Sequence, residues 1–173
     1  KGTAEADEKA TRLIFDNILT AYENGKDLKA RENMLVASYL AGIAFTRAYV
    51  GYVHAIAHNL GGMYGTPHGL ANAVILPYVL EYYGSTAAAP LAKLADIAGL
   101  ETGGMNDAQK AALFIEKIKE FNRKMNIPEH LEIFEKDIPT IAKRALREGN
   151  PLYPVPKIMD YDDCVSVIKR IAK

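Results

Sequence analysis

The stretch from His68 to Tyr83 is almost entirely apolar and carries a single formal charge, Glu81. It is too long for an ordinary strand and apolar on every side rather than along one stripe. It is therefore expected to be a helix buried among others. A helix of that kind needs neighbours with complementary apolar faces, and the chain supplies them. Ala10, Leu13, Ile14, Ile18, Leu19 and Tyr22 recur at helical spacing between Ala4 and Tyr22. A second helix is predicted over Lys29–Tyr49, with small residues Ala37, Ala41, Gly42 and Ala44 for close packing. A third is predicted over Tyr52–Leu60, stopped by Gly61 and Gly62.

Further helices are predicted over Ala87–Ala98, from a cap at Asn106 to about Met125, over Lys136–Glu148 and over Tyr161–Ala172. Asn106 with Gln109 three residues on makes a capping-box pattern. Pro77 inside the buried helix removes one backbone donor and is expected to kink it near Ile75. The segment Gly149–Pro156 contains Pro151, Pro154 and Pro156 and is excluded from regular structure. No strand pattern, repeat or low-complexity segment stands out. Residues 1–173 are read as one all-α, multi-helix domain.

Composition narrows the function classes. The 21 Lys and Arg balance the 21 Asp and Glu, which argues against a nucleic-acid partner. No apolar run reaches membrane-spanning length, and Lys1–Lys9 does not read as a signal peptide. Cys164 is the only cysteine, so no intrachain disulfide forms, and a reducing, cytoplasmic location is expected. The 13 glycines include no G-x-G-x-x-G and no P-loop pattern, so no nucleotide fold is expected within these residues.

Three of the four histidines fall within fifteen residues as H-x3-H-x9-H: His54, His58 and His68. Positions four apart share a helix face, so His54 and His58 should project together from an apolar helix. His68 opens the next helix after a short Gly-Thr-Pro return that can bring it back beside them. One such histidine is usually a core residue. Three converging imidazoles point to a metal or catalytic site, because a buried imidazole needs a hydrogen-bond partner or a metal. The spacing alone names neither the metal nor which two histidines would bind it. The fourth, His130, reads as an exposed loop residue.

The residues around the histidines are more specific. Ala41-Gly42-Ile43-Ala44-Phe45, then Gly51-Tyr52-Val53-His54 through His58-Asn59-Leu60-Gly61-Gly62, then Thr66-Pro67-His68-Gly69-Leu70-Ala71 and Leu76-Pro77 closely resemble the signature region of the iron-containing (group III) alcohol dehydrogenases. Weaker likeness extends through Ile127-Pro128, Asp137-Ile138-Pro139 and Gly149-Asn150-Pro151 to nearly the whole chain. The resemblance implies the dehydroquinate synthase-like C-terminal helical domain of such an enzyme. It implies an Fe(II) ion, or Zn, between that domain and an N-terminal α/β domain that binds NAD or NADP. It assigns His54 and His68 as metal ligands, His58 as the neighbouring residue that carries the alcohol proton, and Phe45 to the nicotinamide and substrate pocket. A small alcohol or aldehyde substrate and a homodimeric full-length enzyme follow from the same likeness.

The sequence departs from that family pattern in one respect. The family's remaining ligands are an Asp and a His one turn apart, upstream. No histidine precedes His54, and none of Asp7, Asp16 and Asp27 stands four residues before one. With no nucleotide fold either, the N-terminal domain is expected to be absent from these 173 residues, and the isolated chain to be inactive. The rival of a zinc hydrolase fails for want of H-E-x-x-H, since Ala55 follows His54. Two other rivals are a non-catalytic helical domain whose histidines sit in the core, and a glycerol dehydrogenase-like relative, although Pro67-His68-Gly69 and Leu76-Pro77 fit the alcohol dehydrogenases better.

Overall fold

Each predicted helical run is a helix in the computed structural model, which describes residues 2–173. The α-helices are α1 (Gly2–Glu23), α2 (Leu28–Ala48), α3 (Tyr52–Tyr64), α4 (His68–Tyr83), α5 (Ala88–Ile97), α6 (Asp107–Lys124), α7 (Ile138–Gly149) and α8 (Tyr161–Ile171). No strand occurs among the described residues, where Leu131 and Ala172 form an isolated bridge. None of the described helices is long and apolar enough to cross a membrane. The helices fall into two compact units: residues up to 49 with 88–117, and residues 50–87 with 118–173.

In the first unit, α1 and α2 form a hairpin. Asp27 caps α2 by accepting from the Ala30 amide at 2.9 Å, which satisfies one of the donors a helix start leaves open. Phe15 stacks on Phe114 of α6 with ring centres 5.1 Å apart, and Arg12 donates to the Ile97 carbonyl at the end of α5. The capping box at Asn106 is present in both directions: Gln109 N–H donates to Asn106 Oδ1 and Asn106 N–H to Gln109 Oε1.

In the second unit, α3 packs on α4 and α7, while α8 closes the group by packing on α4 and α7. Tyr52, Ala55, Ile56, Ala57 and Leu60 are the buried face of α3. Ala71, Val74, Ile75, Tyr78, Val79 and Tyr83 bury most of α4, as its composition requires. Asp160 caps α8 in a capping box with Asp163. Cys164 is fully buried in α8, and burial pushes its thiol up to about 12, so it is inert as a thiolate.

Two helix bounds differ from the sequence-based expectation. The third helix does not stop at Gly61-Gly62 but runs to Tyr64, where Gly65 adopts a left-handed φ of 66° and donates to the Gly61 carbonyl. Mid-helix glycine costs about 1 kcal/mol. The extra turn is anchored by Tyr64, whose hydroxyl donates to Asp137 Oδ2 at 2.7 Å and accepts from the Phe134 amide. The seventh helix begins at Ile138 after a 3-10 turn at Glu135–Asp137, because Pro139 suits the first turn of an α-helix and not its interior.

Pro77 lies inside α4 without ending it. Its missing N–H leaves the Ala73 carbonyl, four residues earlier, without a helical donor. Asn122 of α6 donates its Nδ2 to that carbonyl at 2.8 Å. Asn122→Ala is therefore expected to cost about 1–3 kcal/mol by stranding the carbonyl. In a Pro77→Ala background, which restores the helical donor, the same change should cost less. Denaturant melts of the four proteins check it; an equal cost in both backgrounds would mean the bond does not replace the lost donor.

Candidate functional site

Helical spacing and a short return bring the three predicted histidines together. His54 and His58 lie one turn apart on α3, beside its buried face rather than within it. His68 is the first residue of α4, after the Thr66-Pro67 return. The ring centres of His54 and His68 are 5.3 Å apart, those of His58 and His68 5.4 Å, and those of His54 and His58 6.0 Å. The His58 and His68 rings stack almost parallel at 17°, whereas those of His54 and His68 are splayed by 52°. The expectation that the histidine helix is buried holds only on its other side: His54 is half-buried, and His58 and His68 are exposed.

The three imidazoles differ in their surroundings. Burial lowers the pKa of His54 below its ordinary 6.5, and the neighbouring His68 and His58 lower it further, against a smaller opposite pull from Glu148. His54 is thus held neutral, the form that can donate a lone pair to a metal. The amide of Asn72 donates to the backbone carbonyl of His68 at 2.8 Å, which fixes its NH2 on that side. The same Nδ2 lies 3.0 Å from His68 Nε2, so Nε2 is the lone-pair nitrogen of His68. Asn72 Oδ1 is buried and has no hydrogen-bond partner. Asn72 and His54 share an open cleft of about 360 Å³ with Gly51, Val53, Leu76 and Tyr83. The chemistry of this donor set fits a borderline divalent ion, since neutral imidazoles suit iron and zinc. Among the described residues, no group of three or more His, Cys, Asp or Glu has an arrangement that could itself hold a metal ion.

His58 faces a carboxylate. Its Nδ1 lies 2.7 Å from Glu148 Oε1 on α7, and the Tyr153 hydroxyl donates to the same oxygen at 2.8 Å. Burial and the bond to Glu148 raise the Tyr153 phenol above its usual value, so it stays a donor. Sequence reasoning missed Glu148, Tyr153 and Asn72. Glu148 and Tyr153 stand some 90 residues beyond His58 and share no periodicity with it; Asn72, four residues after His68 on one helix face, carried a readable signal. His130 is an exposed loop residue near the Arg170 carbonyl, away from any role suggested for the other three. Phe45 belongs to the other unit. It is 55% exposed on α2 and lines an open apolar depression with Tyr39, Gly42, Ile43 and Thr46.

An all-helical chain with three converging imidazoles, two on one helix and the third at the start of the next, defines a candidate metal-binding helical domain. Residues 3–172 match the family described as Fe-containing alcohol dehydrogenase family, C-terminal, and the chain belongs to that family. It is 45% identical to 1,3-propanediol dehydrogenase of Citrobacter freundii over 145 residues, 82% of this chain and 38% of the relative. It is 38% identical to alcohol dehydrogenase 4 of Saccharomyces cerevisiae over 167 residues, 94% of this chain and 42% of the yeast protein. An alcohol dehydrogenase structure from Oenococcus oeni superposes with a TM-score of 0.93 at 34% identity, covering 99% of this chain and 45% of that one. The chain thus spans about two-fifths of the length of the relatives it matches, and it corresponds to their C-terminal helical part.

Proposed function

We propose that this chain is the helical metal-binding part of an alcohol dehydrogenase that interconverts small alcohols with aldehydes or ketones by hydride transfer. The convergence of His54, His58 and His68, in a chain of the iron-containing family, is the observation that carries the reading. His54 and His68 would supply two ligands to Fe(II), or to Zn. They are the closest pair and their rings are splayed rather than stacked. The lowered pKa of His54 favours its neutral form, and the His68 lone pair, which accepts from Asn72 here, would turn to the metal instead. The family relatives' greater length leaves room for the remaining ligands and for an α/β domain that holds NAD or NADP. When bound, the metal supplies Lewis acidity that makes an alcohol hydroxyl more acidic, and the nicotinamide supplies the hydride acceptor.

The protein's own part is to orient and to move a proton. His58, exposed beside the pair, would take the hydroxyl proton and pass it outward. Phe45, with the apolar surface around it, would border the nicotinamide and substrate pocket. The lone thiol, Cys164, is buried, which suits a reducing compartment such as the cytoplasm, where Fe(II) also survives. The test is alcohol-dependent reduction of NAD or NADP by the intact enzyme. It should vanish on chelation and return with Fe(II) or Zn(II); activity untouched by exhaustive chelation would defeat the reading.

A further inference from the structure

We propose that Glu148 is the positioning residue for His58: its carboxylate, steadied by the Tyr153 hydroxyl, holds the hydrogen of His58 on Nδ1 and so leaves Nε2 to accept the alcohol proton. The inference rests on the reading of His58 as the proton carrier. A carboxylate oxygen only accepts hydrogen bonds, so at 2.7 Å the His58 Nδ1 must be the donor. A neutral imidazole has one N–H, and fixing it on Nδ1 makes Nε2 the base. In the reaction, the substrate O–H bond breaks with its electron pair left on oxygen, and the proton forms the new bond to Nε2. A carboxylate behind an imidazole plays this orienting part in many metal and catalytic sites.

The ring needs such a partner. The His58 side chain is 44% exposed, so packing covers only part of the ring. Glu148 is 30% exposed and comes from α7, which packs directly on α3, so its backbone is fixed relative to His58. Its Oε1 takes two donors at once, from His58 and from Tyr153. Tyr153 in turn is tied to the end of α7 by its backbone amide, which donates to the Gly149 carbonyl at 2.9 Å. The three side chains form a line from the histidine cluster to the Pro-rich segment after α7.

A purely structural α3–α7 link would leave the same contacts, and histidine tautomers separate the two cases. Two-bond 1H–15N correlation spectra of the zinc-loaded intact protein, with 15N-labelled histidine and His58→Asn to assign the signals, should show His58 with its hydrogen on Nδ1. Glu148→Ala should shift it to the Nε2–H form and lower kcat about 10–100-fold, with KM within about twofold and bound zinc unchanged. Glu148→Gln, whose amide oxygen can accept from both donors, should keep the Nδ1–H form and most of kcat. Hydrogen on Nε2 in the unmodified protein, or a Glu148→Ala loss of kcat without a tautomer change, overturns the assignment. His54→Ala and His68→Ala proteins that bind zinc as well as the parent would instead defeat the reading of the metal site, and the tautomer result would stand apart from it.

Discussion

Replacing His68 by alanine in the intact enzyme is expected to weaken metal binding about 100–1,000-fold, and His54→Ala should do the same. Four-ligand zinc sites bind with about 10–16 kcal/mol, so one imidazole carries about 3–4 kcal/mol of that, which converts to this loss of affinity. His58→Ala should leave affinity nearly unchanged while lowering kcat, because in the proposed reading His58 carries the proton and does not ligate the metal. Elemental analysis after dialysis, together with competition titration against a chelator, reads the affinities; initial rates at saturating metal read kcat. The pattern matters more than any one value. Metal retained by His68→Ala and stripped by His58→Ala would reverse the roles of two residues whose rings lie only 5.4 Å apart. Helix stability is not at issue in this comparison. His58 and His68 are exposed and His54 is half-buried, so alanine leaves no sealed cavity at any of the three.

That contrast marks what sequence could and could not disclose. The helical runs were legible because their apolar residues recur at the helix period and their ends carry Gly, Pro or capping side chains, as at Asp160 and Asn106. The meeting of His54, His58 and His68 was legible for a related reason. Two share one helix face, and the nine residues before the third allow only a tight return. His54 and His58 share a helix face by their spacing, yet theirs are the most separated rings of the three. Which ring faces which is set by the crossing of α3 and α4, a packing property with no local signature. The same holds for Glu148 and Tyr153, which reach His58 only because α7 lies against α3. The run of α3 through Gly61-Gly62 was misjudged because the anchor that sustains it, Tyr64 on Asp137, is also a long-range bond. Local signals fixed the elements, and contacts distant in sequence fixed the chemistry around them.

The largest loss of stability is expected at Tyr52. Its side chain is fully buried, its hydroxyl donates to Asn150 Oδ1 at 2.5 Å, and it accepts from the amide of buried Met159 at 3.0 Å. Asn150 in turn donates to the Met159 carbonyl. The phenol is thus the post around which the chain between α7 and α8 is wound. Tyr52→Ala should cost about 3–5 kcal/mol in cavity formation and lost burial, a large share of the roughly 5–15 kcal/mol that holds a domain folded. Tyr52→Phe keeps the ring and strands the Met159 amide, at about 1–3 kcal/mol. Gly149 tests the same contact from the other side. A Cβ there would stand 2.8 Å from Tyr52 Cε1, and the ring cannot retreat while its hydroxyl is pinned at two points. Gly149→Ala should therefore cost about 1–3 kcal/mol by overpacking. In a Tyr52→Ala background the clash is gone, so the same substitution should become nearly neutral. Urea unfolding of the four proteins gives the coupling directly, and independent costs would show that ring and glycine do not press on each other. Because Glu148 and Tyr153 flank this joint, a loosened Tyr52 should also free His58. Tyr52→Phe should then lower kcat even where the protein remains fully folded.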